Sequence, residues 1–235
     1  MLAVKLALTL AGMSVIPHGS FAPLYATKNA ERVSVSSFAL DTEPVTRGDF
    51  LQFVRRNPEW RRSAVKSSVA DRGYLSDWRG DFSPGAAADL ARPVTSVSRN
   101  AAMAYCASKG KRLPTTEEWE YVAAASETRR DAVRDKKFIT RLIGYYRARS
   151  GVRPDVVGKS SKNVYGVRDL HELAWEWTAD PMDHHGSHEH HMFCASSAIG
   201  AGDPSNYPAF MRYAVRSGLT DRTTLRTLGF RCAAG

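Results

Sequence analysis

Cysteine is scarce in this chain: 235 residues carry three, Cys106, Cys194 and Cys232. No cysteine follows Cys194 until Cys232, so a redox centre built on a local dithiol cannot form in that stretch. Long apolar runs are missing as well. The run Leu6 to Ala11 is too short to span a bilayer, but it suits the apolar region of a secretory leader. With Lys5 ahead of it and small residues at Ala11 and Gly12, it predicts a signal peptide over residues 1–12 and a mature domain over 13–235. That mature domain has no transmembrane segment; a buried first strand is the competing reading of the same residues. The net charge is +9, yet the basic pairs Arg55-Arg56, Arg61-Arg62, Arg129-Arg130 and Lys136-Lys137 are scattered and lack interleaved aromatics. They read as a solvated surface, and no nucleic-acid partner is expected. Internal repeats are absent too.

What is present is an ordinary globular balance, 43% hydrophobic and 24% charged residues, which argues against wholesale disorder. The length supports one well-buried domain. Val33 to Leu40 alternates imperfectly and predicts a strand. Thr46 caps a helix whose apolar face is Phe50, Phe53 and Val54. Asn57 to Arg92 is polar and turn-rich, with Trp60, Tyr74, Leu75, Trp78 and Phe82 as anchors for an ordered excursion. Ser98 caps a second helix ended by Gly110. Thr115 and Glu118 form a capping box, with Trp119 and Val122 facing the core. Glu127 to Arg149 is charged and helical around Phe138, Leu142 and Ile143. The alternation in Arg212-Tyr213-Ala214-Val215-Arg216 predicts a core strand. The whole reads as α+β with much irregular structure.

Four segments, in order and at consistent spacing, resemble the formylglycine-generating enzyme, or sulfatase-modifying factor, family. They are Val15-Ile16-Pro17-His18-Gly19-Ser20-Phe21; Asp41-Thr42-Glu43-Pro44-Val45-Thr46 with Phe50; and Pro93 to Ser98 with Ala104-Tyr105-Cys106, Gly110 to Thr115 and Glu118 to Tyr121. The last runs Asn163 to Leu170, Ala174-Trp175-Glu176-Trp177 and Leu228-Gly229-Phe230-Arg231-Cys232-Ala233. The resemblance implies a complex, C-type lectin-like α+β fold with little regular secondary structure. Its members include copper-dependent oxidases of a target cysteine, iron-dependent sulfur-transfer enzymes with an extra domain, and accessory or binding proteins.

The same resemblance assigns the candidate sites. Cys194 is similar to the first active cysteine, the catalytic candidate, but the position of the second falls near Pro208. The usual Gly-Gly-Ser before it is replaced by His190-His191-Met192. A copper site of His190, His191 and Cys194 is one reading; a solvated His-rich loop, favoured by the irregular spacing and Gly186-Ser187, is the other. Cys106 and Cys232 match positions that form a structural disulfide, worth ~5 kcal/mol in the chain-entropy model. Asp169 and Glu176 side chains, with the carbonyls of Glu172 and Ala174, match a calcium site, although Glu172-Leu173 replaces the family's Gly-Asn. Trp175, Arg216 and Ser217 would line the substrate groove.

These readings converge on a periplasmic or secreted accessory protein holding a protein or peptide partner in that groove. Redox-enzyme maturation and toxin immunity are both consistent with that role. The alternative is a metal-dependent oxidoreductase acting on a thiol or small metabolite at an altered Cys194/His site.

Overall fold

The computed structural model describes residues 11–21, 32–148, 154–180 and 207–235. Its strands are short: β1 (Met13–Ile16), β2 (Gly19–Phe21), β3 (Val33–Val35), β4 (Phe38–Asp41), β5 (Trp175–Glu176), β6 (Leu228–Gly229) and β7 (Ala233–Ala234). Five helices accompany them among the described residues: α1 (Arg47–Arg56), α2 (Arg99–Ser108), α3 (Thr116–Ala123), α4 (Lys136–Ala148) and α5 (Tyr207–Ser217). Strands pair in the order β1-β4-β7 and, separately, as β2-β3, both antiparallel; β5 and β6 pair in parallel. The fold is therefore mixed helix and strand with little regular structure.

The helix starts follow local hydrogen-bond chemistry. Thr46 accepts from the Asp49 N–H at 3.1 Å while Asp49 accepts from the Thr46 N–H at 3.3 Å. Thr115 and Glu118 repeat that exchange at α3, at 3.1 and 2.8 Å. Ser98 accepts from the Ala101 N–H at the start of α2. Each contact satisfies an amide that the first helical turn leaves without a partner.

The expected strand over Val33–Leu40 is two strands. The alternation fails at Ser36-Ser37, and there the chain passes from the β2 ribbon into the central sheet. The charged segment after α3 is helical only from Lys136. Before it, the Ala132 N–H donates to the Ala124 carbonyl at 2.8 Å and holds a loop against the end of α3. The predicted strand over Arg212–Arg216 is a correction: those residues lie in helix α5.

The main core joins α1 and α2 with the β6–β7 region: Phe50 lies 5.8 Å from Tyr105 and 6.2 Å from Phe230, and Tyr105 lies 5.4 Å from Phe230. The excursion after α1 contributes Tyr74, Leu75 and Trp78, all buried, and Arg47 pins it by donating to the Pro84 carbonyl and to Asp77. Phe82 does not anchor it; 46% exposed, it lies under the Arg61 guanidinium instead. A second core joins Ile16, Leu40, Trp119, Val122 and Val167.

The Cys106–Cys232 disulfide is formed, with Cα atoms 5.6 Å apart, and both residues are fully buried. It fastens α2 to the strand region that closes the central sheet. Among the described residues no helix is long and apolar enough to cross a membrane.

Candidate functional site

Strand β5 presents two side chains in opposite directions, because successive residues of a strand alternate faces. Glu176 points into the protein. Its two oxygens accept from Arg231 Nε and Nη2, both at 2.8 Å, and one also accepts from Trp119 Nε1 at 2.8 Å. Arg231 spends its remaining donor capacity on the carbonyls of Asp41, Thr42 and Arg168, at 3.1, 3.3 and 2.9 Å. The pair is sealed, with Arg231 0% and Glu176 1% exposed.

Trp175 faces the other way and is half-buried, its ring 4.9 Å from Tyr146 of α4. Tyr146 belongs to a chain of polar contacts linking three helices and a loop. Arg212 of α5 grips both oxygens of Glu120 on α3, at 2.6 and 2.5 Å, and donates to the Tyr146 hydroxyl at 3.0 Å. Tyr146 in turn meets His171 Nδ1 at 2.9 Å, and His171 Nε2 meets the Ala123 carbonyl at 2.9 Å. A carbonyl can only accept, so Nε2 carries a proton, and in the neutral ring the Tyr146 hydroxyl donates to Nδ1. Burial alone would lower the pKa of Arg212, but Glu120 and Tyr146 outweigh it and hold the guanidinium charged, above its ordinary range. The same guanidinium lies 5.6 Å from the centre of the Trp119 ring. Trp175, Tyr146, Trp119 and Arg212 thus form a wall in which Trp175 is half-buried and Tyr146 and Trp119 are buried behind it, so that Trp175 is the ring available for packing against apolar side chains.

The sequence-predicted groove residues are only partly assembled. Trp175 is in this wall, and Arg216 lies half-buried one turn beyond Arg212 on α5. Ser217 is exposed at the end of that helix and turns its hydroxyl back to the Ala214 carbonyl at 3.1 Å. As arranged it offers no donor to the groove. Arg212, Glu120, Tyr146 and His171 were not predicted from sequence. Arg212 and Arg216 stand at i, i+4 on one face of α5, a spacing that strand alternation fits equally well. Cys194, His190 and His191 lie outside the described residues.

The calcium set has a definite arrangement. Asp169, at a left-handed φ of 59°, accepts from the Gly158 N–H at 2.5 Å and the Ser160 N–H at 3.2 Å. Glu176 already carries the charge of Arg231. The Glu172 carboxyl is pushed up from its ordinary range by burial first and by neighbouring Asp169 second. Among the described residues no three His, Cys, Asp or Glu side chains gather around one metal-sized point. In the set Asp169, Glu172, Ala174 and Glu176, the Glu176 carboxylate is already neutralised by a buried guanidinium, with which a calcium ion there would have to share it.

Known proteins match along nearly the whole chain. Residues 3–235 match the model of the sulfatase-modifying factor enzyme 1-like domain. An inactive Cα-formylglycine-generating enzyme 2 from Bos taurus is 32% identical, over 86% of this chain and 79% of the relative. The formylglycine-generating enzyme of Mycobacterium tuberculosis is 26% identical, over 86% of this chain and 89% of its own length. Among solved structures, PvdO from Pseudomonas aeruginosa shares the fold, with a TM-score of 0.51 at 19% identity, over 94% of this chain and 93% of PvdO. The chain belongs to the formylglycine-generating enzyme, or sulfatase-modifying factor, family.

Proposed function

We propose that this chain is a non-catalytic member of its family, an exported accessory protein that holds a protein or peptide partner against Trp175, which Tyr146 and Arg212 brace from behind. One observation carries the reading. The sequence has three cysteines, and two of them are joined in the Cys106–Cys232 disulfide. Cys194 is thus left without a second thiolate in the chain, whereas copper-dependent thiol oxidation holds its metal between two. The 32% identity to an inactive relative supports the same conclusion. The disulfide favours an oxidising compartment, so the setting we propose is periplasmic or secreted. Redox-enzyme maturation and toxin immunity are the two roles we consider consistent with such a partner.

The test is a comparison of two activities. A partner captured from the exported fraction, then purified, is expected to bind wild type and Cys194→Ala alike and to bind Trp175→Ala at least tenfold more weakly. Stoichiometric copper lost in Cys194→Ala, together with oxygen uptake on a thiol peptide, would overturn the proposal in favour of an oxidoreductase.

A further inference from the structure

A concave site lies away from Trp175, between the start of β3 and the loop that precedes α4. Open to solvent on one side, it offers about 380 Å³ and is lined by Arg32, Arg129, Arg134, Asp131, Asp135 and Val133. That volume lies within the ~300–1,000 Å³ range of small-molecule sites.

The charges in it are only loosely paired, as two long ion pairs without hydrogen bonds. The nearest oxygen of Asp131 is 3.7 Å from Arg32 and that of Asp135 is 4.0 Å from Arg129, both beyond hydrogen-bond reach. The aspartates bond to backbone instead: Asp135 accepts from the Lys137 and Phe138 N–H groups at 2.9 and 3.3 Å, and Asp131 from the Val133 N–H at 3.3 Å. Three guanidiniums therefore face the cavity against two carboxylates already partly compensated. The surround is basic too, because Arg130, Lys136 and Lys137 are exposed beside it.

The frame is rigid. Arg32 is held by donating to the Ser20 hydroxyl and carbonyl at 2.9 and 2.7 Å, and Ala132 is buried under the loop that carries Arg129 and Arg134. Guanidiniums present paired donors that match a tetrahedral oxyanion. A single phosphate or sulfate would leave most of the cavity unfilled.

We propose that this cavity binds a small molecule carrying a phosphate or sulfate group, with Arg129 and Arg134 gripping the oxyanion and Arg32 flanking it. The site shares no residue with the groove, so the inference stands or falls separately from the accessory role.

Calorimetric titration with inorganic phosphate, sodium sulfate and ribose 5-phosphate, each against sodium chloride at matched ionic strength, tests it. Saturable binding of phosphate and sulfate is expected, with ribose 5-phosphate tighter than either. Arg129→Ala/Arg134→Ala should lose at least tenfold in affinity. Lys136→Ala/Lys137→Ala, which removes the same charge next door, should bind as wild type does. All four side chains are exposed, so far-UV circular dichroism should show both variants folded. Heats matched by chloride, or equal losses in the two double variants, would reduce the effect to general screening and overturn the site. Ribose 5-phosphate binding no tighter than inorganic phosphate would overturn the small-molecule ligand.

Discussion

Replacing Arg231 by methionine is expected to be among the most damaging single substitutions in this chain. The side chain is 0% exposed and its partner Glu176 1%. Methionine preserves much of the volume but removes two bonds to Glu176 and the donors to the Asp41, Thr42 and Arg168 carbonyls. Glu176 would keep the Trp119 indole N–H and lose its counter-charge. Breaking a buried pair by removing one partner costs roughly 3–5 kcal/mol, because the other charge stays in the interior. For a domain of this size each kcal/mol moves the midpoint about 2–4 °C, so a fall of roughly 6–20 °C is expected. Urea denaturation at pH 7, with the disulfide intact, reads the same quantity. The double variant Arg231→Met/Glu176→Met should recover a large part of the loss, since it leaves no orphaned charge. A cost under ~1 kcal/mol for the single variant, or a double variant worse than the sum of the singles, would refute the reasoning.

Other outcomes follow from the same geometry. Cys106→Ala/Cys232→Ala, which opens a link between residues 126 apart, should cost about 5 kcal/mol in the chain-entropy model, read from urea midpoints. Calcium or a chelator should leave the melting temperature unchanged, because Arg231 already neutralises Glu176; a rise of several degrees with calcium would reverse that conclusion. The pKa of Glu172 is raised on folding, so the native state binds more protons than the unfolded one, and stability falls as pH rises from the ordinary glutamate value through the raised one. Glu172→Gln should accordingly gain stability at pH 7–8 and gain little near pH 4, checked by melts across that range. Arg212→Ala should loosen α5 and lower the melting temperature; tryptophan emission near Trp119 and Trp175 should shift to the red.

The features legible in the sequence were those settled within a few residues. Thr46, Ser98 and Thr115 announce helix starts because a cap and the amide it satisfies are neighbours. Tyr74, Leu75 and Trp78 stood out against a polar background and are buried. Helix α5 was misread because five alternating residues match a period of 2.0 about as well as one of 3.6, and Arg212 and Arg216 satisfy both. The polar wall was hidden for a different reason. Arg212 meets Glu120 and Tyr146 across 92 and 66 positions of chain, and nothing local marks an arginine whose partners lie that far away. The family motifs located Trp175 and Glu176, but not that one packs on Tyr146 while the other is locked to Arg231.

The closing strands also bear on when this protein can fold. Residues 231–234 supply the inward arginine, one half of the disulfide, the bridge to Arg112 and the third strand of the central sheet. A ribosome delivers them after everything they bind. Until they emerge, β4 lacks its second neighbour and Glu176 its counter-charge, so the nascent chain has no finished interior to collapse around. The Cys106–Cys232 bond can close only once that segment has come back to α2, so its oxidation reports a completed central sheet.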